Sequence, residues 1–133
     1  MISQSRPQSF LVAGSILGGL AVTAGAFGGH MLKGVSDASM LAAFETAVRY
    51  QMYHALVLCI LARVGERQQA GALTFAGWCF VAGIALFSGS LYVTTLSGIR
   101  WVGALTPIGG VSMILGWSLL AREAWRAGNR RGT

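Results

Sequence analysis

The chain has 133 residues, of which 54% are apolar and only 11% are charged, whereas about 25% of the residues in a typical soluble domain are charged. Asp, Glu, Lys and Arg are absent from residues 7–32, 68–99 and 101–121, which excludes a water-soluble domain and predicts a multi-pass membrane protein. The net charge of +6 suits membrane topology and anionic headgroups, and because no soluble module remains for a basic groove, nucleic-acid binding is excluded.

The first predicted element is a helix over about residues 10–31. Arg6 precedes it and raises the alternative of a signal peptide, but the apolar regions of such peptides have only about 7–15 residues, so we interpret the segment as a retained span. Four glycines form one stripe along this helix: Gly14, Gly18, Gly25 and Gly29. Small residues at these spacings let helices approach closely, so we expect the stripe to pack against another helix of the chain, with a homodimer contact as the alternative.

The second helix is predicted over about residues 39–64. Three residues before or at its start are suitable N-caps: Ser36, Asp37 and Ser39. Its first part, up to Arg49, is amphipathic and is expected at the level of the headgroups or beyond them. Its second part, residues 50–62, is apolar and is expected inside the membrane.

The third and fourth helices are predicted over about residues 70–96 and 102–126. The third is the most apolar element of the chain. Pro107 lies in the first turns of the fourth helix, where a missing amide hydrogen is least disruptive. A basic tail, residues 127–133, follows.

The positive charges predict the orientation of the four helices. One side of the membrane receives Arg6, Arg63, Arg67, Arg122, Arg126, Arg130 and Arg131, and the other receives only Lys33, Arg49 and Arg100. This excess places both termini on the cytoplasmic side, or on the matrix side in a mitochondrion. The predicted fold is an all-α integral membrane protein, one domain over residues 1–133, with four transmembrane helices in an up-down antiparallel bundle.

Candidate functional residues lie near the non-cytoplasmic ends of the predicted helices. They define a candidate polar pocket: Glu45, Arg49, Tyr53, His54, Tyr92 and Arg100. Ionisable groups at membrane depth are costly and are normally paired, so one interpretation is that Arg49 or His54 holds an anion, a headgroup or a proton. The alternative, which we favour, is an interfacial salt bridge between Glu45 and Arg49, with His54 as a hydrogen-bonded packing residue.

His30 and Lys33 close the first helix, where such residues complement the helix dipole. Neither histidine has a Cys or acidic residue at a recognisable ligand spacing, so no metal site is predicted. Cys59 and Cys79 lie in apolar segments and are interpreted as small buried side chains rather than a disulfide. The sequence contains no recognisable nucleophile–base grouping or phosphate loop, and we expect neither an enzyme nor a cofactor.

Four strings carry a family resemblance: AFGGHMLKG (26–34), FETAVRYQMYHALVL (44–58), SGSLY (88–92) and RWVGALTPIGGVSMILGW (100–117). In this order they resemble the small membrane proteins of the domain of unknown function 423 family, which includes bacterial inner-membrane proteins and the eukaryotic transmembrane protein 256. The resemblance covers Ser15 to Trp117, with Gly29 standing where the family usually has Ala. It implies four spans and an inner-membrane location, and it implies no activity, cofactor or catalytic residue.

Two functions are expected from the sequence. The first is a structural or accessory subunit that packs through glycine-lined helix faces against a larger membrane complex, of which a respiratory complex is one candidate. The alternative is a small transporter, or a lipid- or anion-binding protein, that uses the candidate polar pocket. The expected location is the bacterial inner membrane, or the mitochondrial inner membrane in a eukaryote, and a homo-oligomer is not predicted.

Overall fold

The computed structural model describes residues 5–34, 37–67 and 71–130. Helix α1 comprises Ser5–Thr23, a π-helical turn at Ala24–Gly28 and a last α-helical turn at Gly29–Leu32. Helix α2 is Ala38–Arg67, and helix α3 is Gly71–Ser97. A 3-10 helix at Arg100–Leu105 leads into helix α4, Thr106–Asn129. The predicted all-α class with four long helices is therefore confirmed for the described residues.

Helix α4 begins at Thr106, whereas the sequence predicted a start near residue 102. The chain first forms the 3-10 helix Arg100–Leu105, and only then adopts regular α-helical geometry. Pro107 takes the second position of α4, in the first turn, where the missing backbone N–H group of proline disrupts the helix least. The difference in boundary thus comes from a tighter helical turn that a hydropathy pattern does not distinguish.

Helix α2 is capped by Asp37, one of the three predicted N-caps. The Oδ1 atom of Asp37 accepts a hydrogen bond from the Met40 amide at 2.8 Å and another from the Ser39 hydroxyl at 2.7 Å. The Ser39 hydrogen bond first, and the Met40 amide second, hold the pKa of the Asp37 carboxyl below its ordinary value. Ser36, another predicted cap, lies outside the described residues.

Within the described residues, three helical segments are long and apolar enough to cross a membrane: Gln8–Leu32, Gly71–Ser97 and Arg100–Asn129. Helix α2 is not among them, because it carries charged residues at both ends of its apolar middle. It nevertheless packs between α1 and α3. Its 30 residues extend about 45 Å at 1.5 Å per residue, whereas a hydrocarbon core is about 30 Å thick. The helix is therefore long enough to place both of its charged ends outside such a core.

Each helix packs mainly against the next helix along the chain, and α1 also contacts α3. Consecutive helices run antiparallel, and α1 contacts α2, α2 contacts α3, and α3 contacts α4. In the described part of the chain the backbones of α1 and α4 do not approach each other, and neither do those of α2 and α4. The up-down order is thus present, but a closed four-helix bundle is not confirmed.

The core lies mainly between α2 and α3. Phe80 and Leu58 are fully buried at its centre, and Phe10 of α1 and Met113 of α4 close it from either side. Many large apolar side chains point outward instead, among them Phe27 and Ile114, each 66% exposed. In water such a surface would drive association, whereas in a bilayer the lipid tails cover it.

Candidate functional site

The six residues of the predicted polar pocket do not form one pocket. Glu45 and Arg49 line a groove between α1 and α2. His54 is buried among aromatic rings of α2, α3 and α4, and Tyr92 bonds to α2 at another point.

The groove, which we call the α1–α2 groove, has a volume of about 190 Å³ and is lined by Gly25, Phe44, Glu45, Val48 and Arg49. It opens beside the π-helical turn of α1. Arg49 donates a long hydrogen bond of 3.4 Å from Nε to the backbone carbonyl of Glu45. The predicted Glu45–Arg49 salt bridge is not formed in the described structure. The Arg49 guanidinium donates to the backbone oxygen of Glu45 instead.

His54 joins α2 to α4 through side chains alone. Trp117 donates its indole N–H to Nε2 of His54 at 3.2 Å. Because an indole only donates, Nε2 is the accepting nitrogen and Nδ1 carries the proton, which it donates to the Tyr50 carbonyl at 2.7 Å. Both nitrogens are thereby satisfied in the neutral ring, and the ring packs against Phe80 with centroids 5.5 Å apart.

Tyr92 belongs to a polar link across three helices. Its hydroxyl donates to Oε1 of Gln51 at 2.8 Å, and Nε2 of Gln51 donates to the Leu17 carbonyl of α1 at 2.8 Å. Gln51 is buried, and the ring of Tyr92 lies 5.3 Å from that of Phe44. A single amide side chain thus connects α1, α2 and α3.

The remaining predicted polar residues are exposed. Tyr53 is 54% exposed and lies 6.3 Å, ring to ring, from Tyr50. Arg100 starts the 3-10 helix. His30 lies in the last turn of α1, and Lys33 is the C-cap residue of that turn. None of these four side chains lines the α1–α2 groove, so their predicted roles stay predictions.

The glycines of the predicted packing stripe lie in different surroundings. A Cβ atom on Gly14 would lie 2.6 Å from the Ala55 carbonyl oxygen and 2.7 Å from the Cys59 sulfur, whereas one on Gly18 would lie 3.9 Å from its nearest neighbour. A Cβ atom on Gly25 would meet Val48 at 3.3 Å. The helix backbones therefore come closest at Gly14. The surroundings of Gly29 lie outside what the structure describes.

Three polar residues that the sequence interpretation did not select are structurally prominent: Gln51, Trp117 and Glu123. Neither Gln51 nor Trp117 carries a charge, so a search for ionisable residues at membrane depth does not select them. Glu123 is buried and pairs with Arg122 at 3.2 Å and Arg126 at 3.5 Å. The signal for Gln51 was available, because it is the sole amide side chain within the apolar stretch 50–62.

The polar interior is engaged in holding helices together. Among the described residues, no buried side-chain nitrogen or oxygen lacks a hydrogen-bond partner. Further bonds cross between helices, among them those that Ser88 donates to the Ala47 carbonyl at 2.8 Å and that Ser112 donates to the Cys79 carbonyl at 2.8 Å. The described His, Cys, Asp and Glu residues form no group of three or more that could hold a metal ion. In the α1–α2 groove, the charged residues Glu45 and Arg49 line an open cavity.

Comparison with known proteins identifies the family. The model of a family described as "Protein of unknown function (DUF423)" matches residues 24–110. The chain belongs to this family. The resemblance seen in the four sequence strings is thus confirmed, and the DUF423 match begins at Ala24, the first residue of the π-helical turn.

Curated relatives are named as membrane proteins. The UPF0382 membrane protein YwdK of Bacillus subtilis (strain 168) is 44% identical over 116 residues, which cover 86% of this chain and 94% of the relative. The UPF0382 membrane protein SAB0533 of Staphylococcus aureus (strain bovine RF122 / ET3-1) is 42% identical over 111 residues, covering 84% and 90%. No solved structure matches the chain. The protein is therefore a membrane protein of a family whose function is unknown.

Proposed function

We propose that the protein is a structural or accessory membrane protein, not an enzyme, that packs against other membrane helices of a larger complex. The observation that carries this proposal is that the buried polar side chains form hydrogen bonds within the chain. The described buried polar atoms all have hydrogen-bond partners within the chain, and bonds such as Gln51 to Leu17 and Trp117 to His54 hold helices in place. Among the described residues, no buried side-chain nitrogen or oxygen is left unpaired for a substrate.

The outer face of α1 supports docking of another helix. Ser15, Gly19 and Ala26 are exposed and follow the same spacing of four and seven residues as Gly14, Gly18 and Gly25, one position further along. Nothing lies within 4 Å of a Cβ atom on Gly19. One residue along an α-helix turns the face by about 100°, so α1 presents one small-residue face to α2 and a second to its surroundings. Such faces permit close helix contact in membranes.

The test is purification of the tagged protein in mild detergent after cross-linking in cells, with mass spectrometry of the proteins that co-purify. Gly19→Leu fills the outer face and should remove the specific partners. Gly89→Leu is the matched control, because a Cβ atom on Gly89 also meets nothing within 4 Å but lies on α3. A protein that elutes alone with nothing cross-linked would contradict the proposal, as would equal recovery of partners with both variants.

We also propose that the membrane is the bacterial inner membrane and that both termini are cytoplasmic. The seven positive residues of one side against three of the other support this orientation, and the relatives are bacterial. Fusions of a periplasmically active phosphatase and of a cytoplasmically fluorescent protein should give activity after Gly98 and fluorescence after Asn129. The reverse pattern would contradict the orientation.

A second candidate function is lipid or anion binding, and the α1–α2 groove is the observation that favours it. Arg49 and Glu45 line this open cavity beside apolar residues. Transport is not proposed, because the other residues of the predicted polar pocket lie away from this groove and outline no path through the chain. Replacing Arg49 by Ala should abolish ligand binding while the protein remains in the membrane, and unchanged binding would remove this candidate.

A further inference from the structure

The α1–α2 groove owes its shape to the π-helical turn of α1 and to two glycines. The ring of Phe44 lies against Gly28 so closely that a Cβ atom there would overlap the ring carbons, and Gly25 faces Val48. The π-helical turn Ala24–Gly28 widens the helix at this level, and such turns occur frequently at functional sites. The result is a cavity of about 190 Å³ with an apolar floor and an open side.

Two opposite charges lie side by side along the groove. Glu45 and Arg49 are both exposed, and among the described residues neither takes part in an ion pair. The one contact between them runs from Nε of Arg49 to the Glu45 backbone carbonyl, which leaves the Glu45 carboxylate and the terminal Arg49 nitrogens free to bind a ligand. Residues four apart on a helix have Cβ atoms about 5–6 Å apart, so one ligand can reach both.

The depth of the groove points to the kind of ligand. Arg49 and Val48 lie level with Gly25, which is eight residues before Lys33 at the end of α1. At 1.5 Å per residue this is about 12 Å from the helix end, within the apolar segment Gln8–Leu32 that is long enough to cross a membrane. A ligand at this level with an apolar tail and charges of both signs is a membrane lipid.

We propose that the α1–α2 groove binds a zwitterionic glycerophospholipid with a phosphoethanolamine headgroup, with the phosphate at Arg49, the ammonium group at Glu45 and an acyl chain along Phe44 and Val48. Guanidinium and phosphate form charge-assisted hydrogen bonds, and so do ammonium and carboxylate. A choline headgroup has no N–H to donate to Glu45, and the glycerol headgroup of an anionic lipid has no positive charge. This assignment rests on the second candidate function above.

The experiment measures lipids retained by the purified protein in native mass spectrometry. Phosphatidylethanolamine, phosphatidylcholine and phosphatidylglycerol with identical acyl chains are offered in equal amounts in mixed micelles. The wild type should retain phosphatidylethanolamine several-fold more than either other lipid. Arg49→Gln should lose this retention, and Glu45→Gln should reverse the preference in favour of phosphatidylglycerol, because the positive charge of Arg49 then stands alone.

Arg100→Gln is the matched control, since it removes an exposed arginine from the same side of the protein outside the groove. Circular dichroism and elution volume establish that all variants are folded. Equal retention of the three lipids by the wild type would overturn the headgroup assignment while leaving lipid binding intact. Identical retention by Arg49→Gln and Arg100→Gln, or no retained lipid at all, would overturn both. Competition by soluble phosphoethanolamine as strong as that by the lipid would overturn the lipid as the source of the headgroup.

Discussion

The helix pairs α1–α2 and α3–α4 are both built around glycine, but they differ in how tightly they close. In α3–α4 the backbones themselves meet: a Cβ atom on Gly109 would lie 2.9 Å from the carbonyl carbon of Leu86 and from Cα of Phe87. In α1–α2 the closest backbone approach described is at Gly14, where a Cβ atom would lie 2.6 Å from the Ala55 carbonyl oxygen and 3.1 Å from the Cys59 amide nitrogen, and its other close neighbour is the flexible Cys59 side chain. The α3–α4 contact therefore has less room to adjust.

The two pairs also differ near the C-terminal ends of α1 and α3. There α3–α4 is joined by a hydrogen bond of 2.6 Å between the hydroxyls of Ser90 and Thr106, whereas α1–α2 opens into the groove beside the π-helical turn. In lipid no hydrophobic gain drives two helices together. Two helices pack tightly where their backbones touch or where polar groups form hydrogen bonds between them. Where neither contact occurs, a cavity remains that a ligand can fill.

The largest expected effect comes from breaking the α3–α4 contact with Gly109→Ala. The added methyl group meets backbone atoms that cannot rotate away, and overpacking of this kind costs about 1–3 kcal/mol or more. We expect a loss at the upper end, about 3 kcal/mol, in the free energy of unfolding measured in detergent micelles. Gly110→Ala is the control, because its Cβ atom would lie 3.8 Å from the Phe87 side chain, and it should be close to neutral. Equal stability of the two variants would mean that the α3–α4 backbones are further apart.

The next effect is on the α1–α2 pair and is tested with Gly14→Ala. The methyl group would collide with the Ala55 carbonyl oxygen and the Cys59 sulfur, but the sulfur can move, so we expect a loss of about 2 kcal/mol. Gly18→Ala, one turn away on the same stripe with ordinary contacts of 3.9 Å, should change stability little. A larger loss for Gly14→Ala than for Gly109→Ala would reverse the comparison between the two pairs.

The positions of the helices could be predicted because lipid excludes charge, so uncharged runs such as 68–99 reveal a span directly. The individual helix contacts could not be predicted, because two neighbouring residues of the same type differ only in the side of the helix on which they lie. Gly109 meets backbone and Gly110 does not, and nothing in the sequence separates them.

The candidate site was predictable in part, for the same reason. Arg49 and His54 are five residues apart, which places them about 140° apart around a helix, so they could not both face one pocket. The sequence could not say which of the two faces inward. His54 is the buried one of the two. Arg49 faces the groove beside the π-helical turn, and the hydrophobic periodicity of the sequence does not predict such a turn.

A smaller effect is expected from Tyr92→Phe, which tests whether polar links connect the two pairs. This change removes the hydroxyl that bonds Gln51 and leaves a buried amide oxygen without its partner. Hydrogen bonds between membrane helices contribute about 0.6 kcal/mol on average and up to about 1.7, so we expect a loss of about 1 kcal/mol in the free energy of unfolding. Tyr53→Phe, at a tyrosine that is 54% exposed, is the control. If both changes are equally harmless, the Gln51 link does not stabilise the chain.

The smallest effect concerns the two loops at the same end, where Arg100 also lowers the pKa of Asp37, after the larger contributions of Ser39 and Met40. Because the folded pKa of Asp37 lies below its unfolded value, its contribution to stability is complete above that unfolded value, about 3.9, and is lost as the pH falls through the folded pKa. Asp37→Asn keeps an acceptor for the Met40 amide but removes the titration. Thermal unfolding of the wild type from pH 6 to pH 2.5 should therefore lose stability slightly more steeply than that of Asp37→Asn. Parallel curves would show that the carboxylate of Asp37 contributes no more than a neutral cap does.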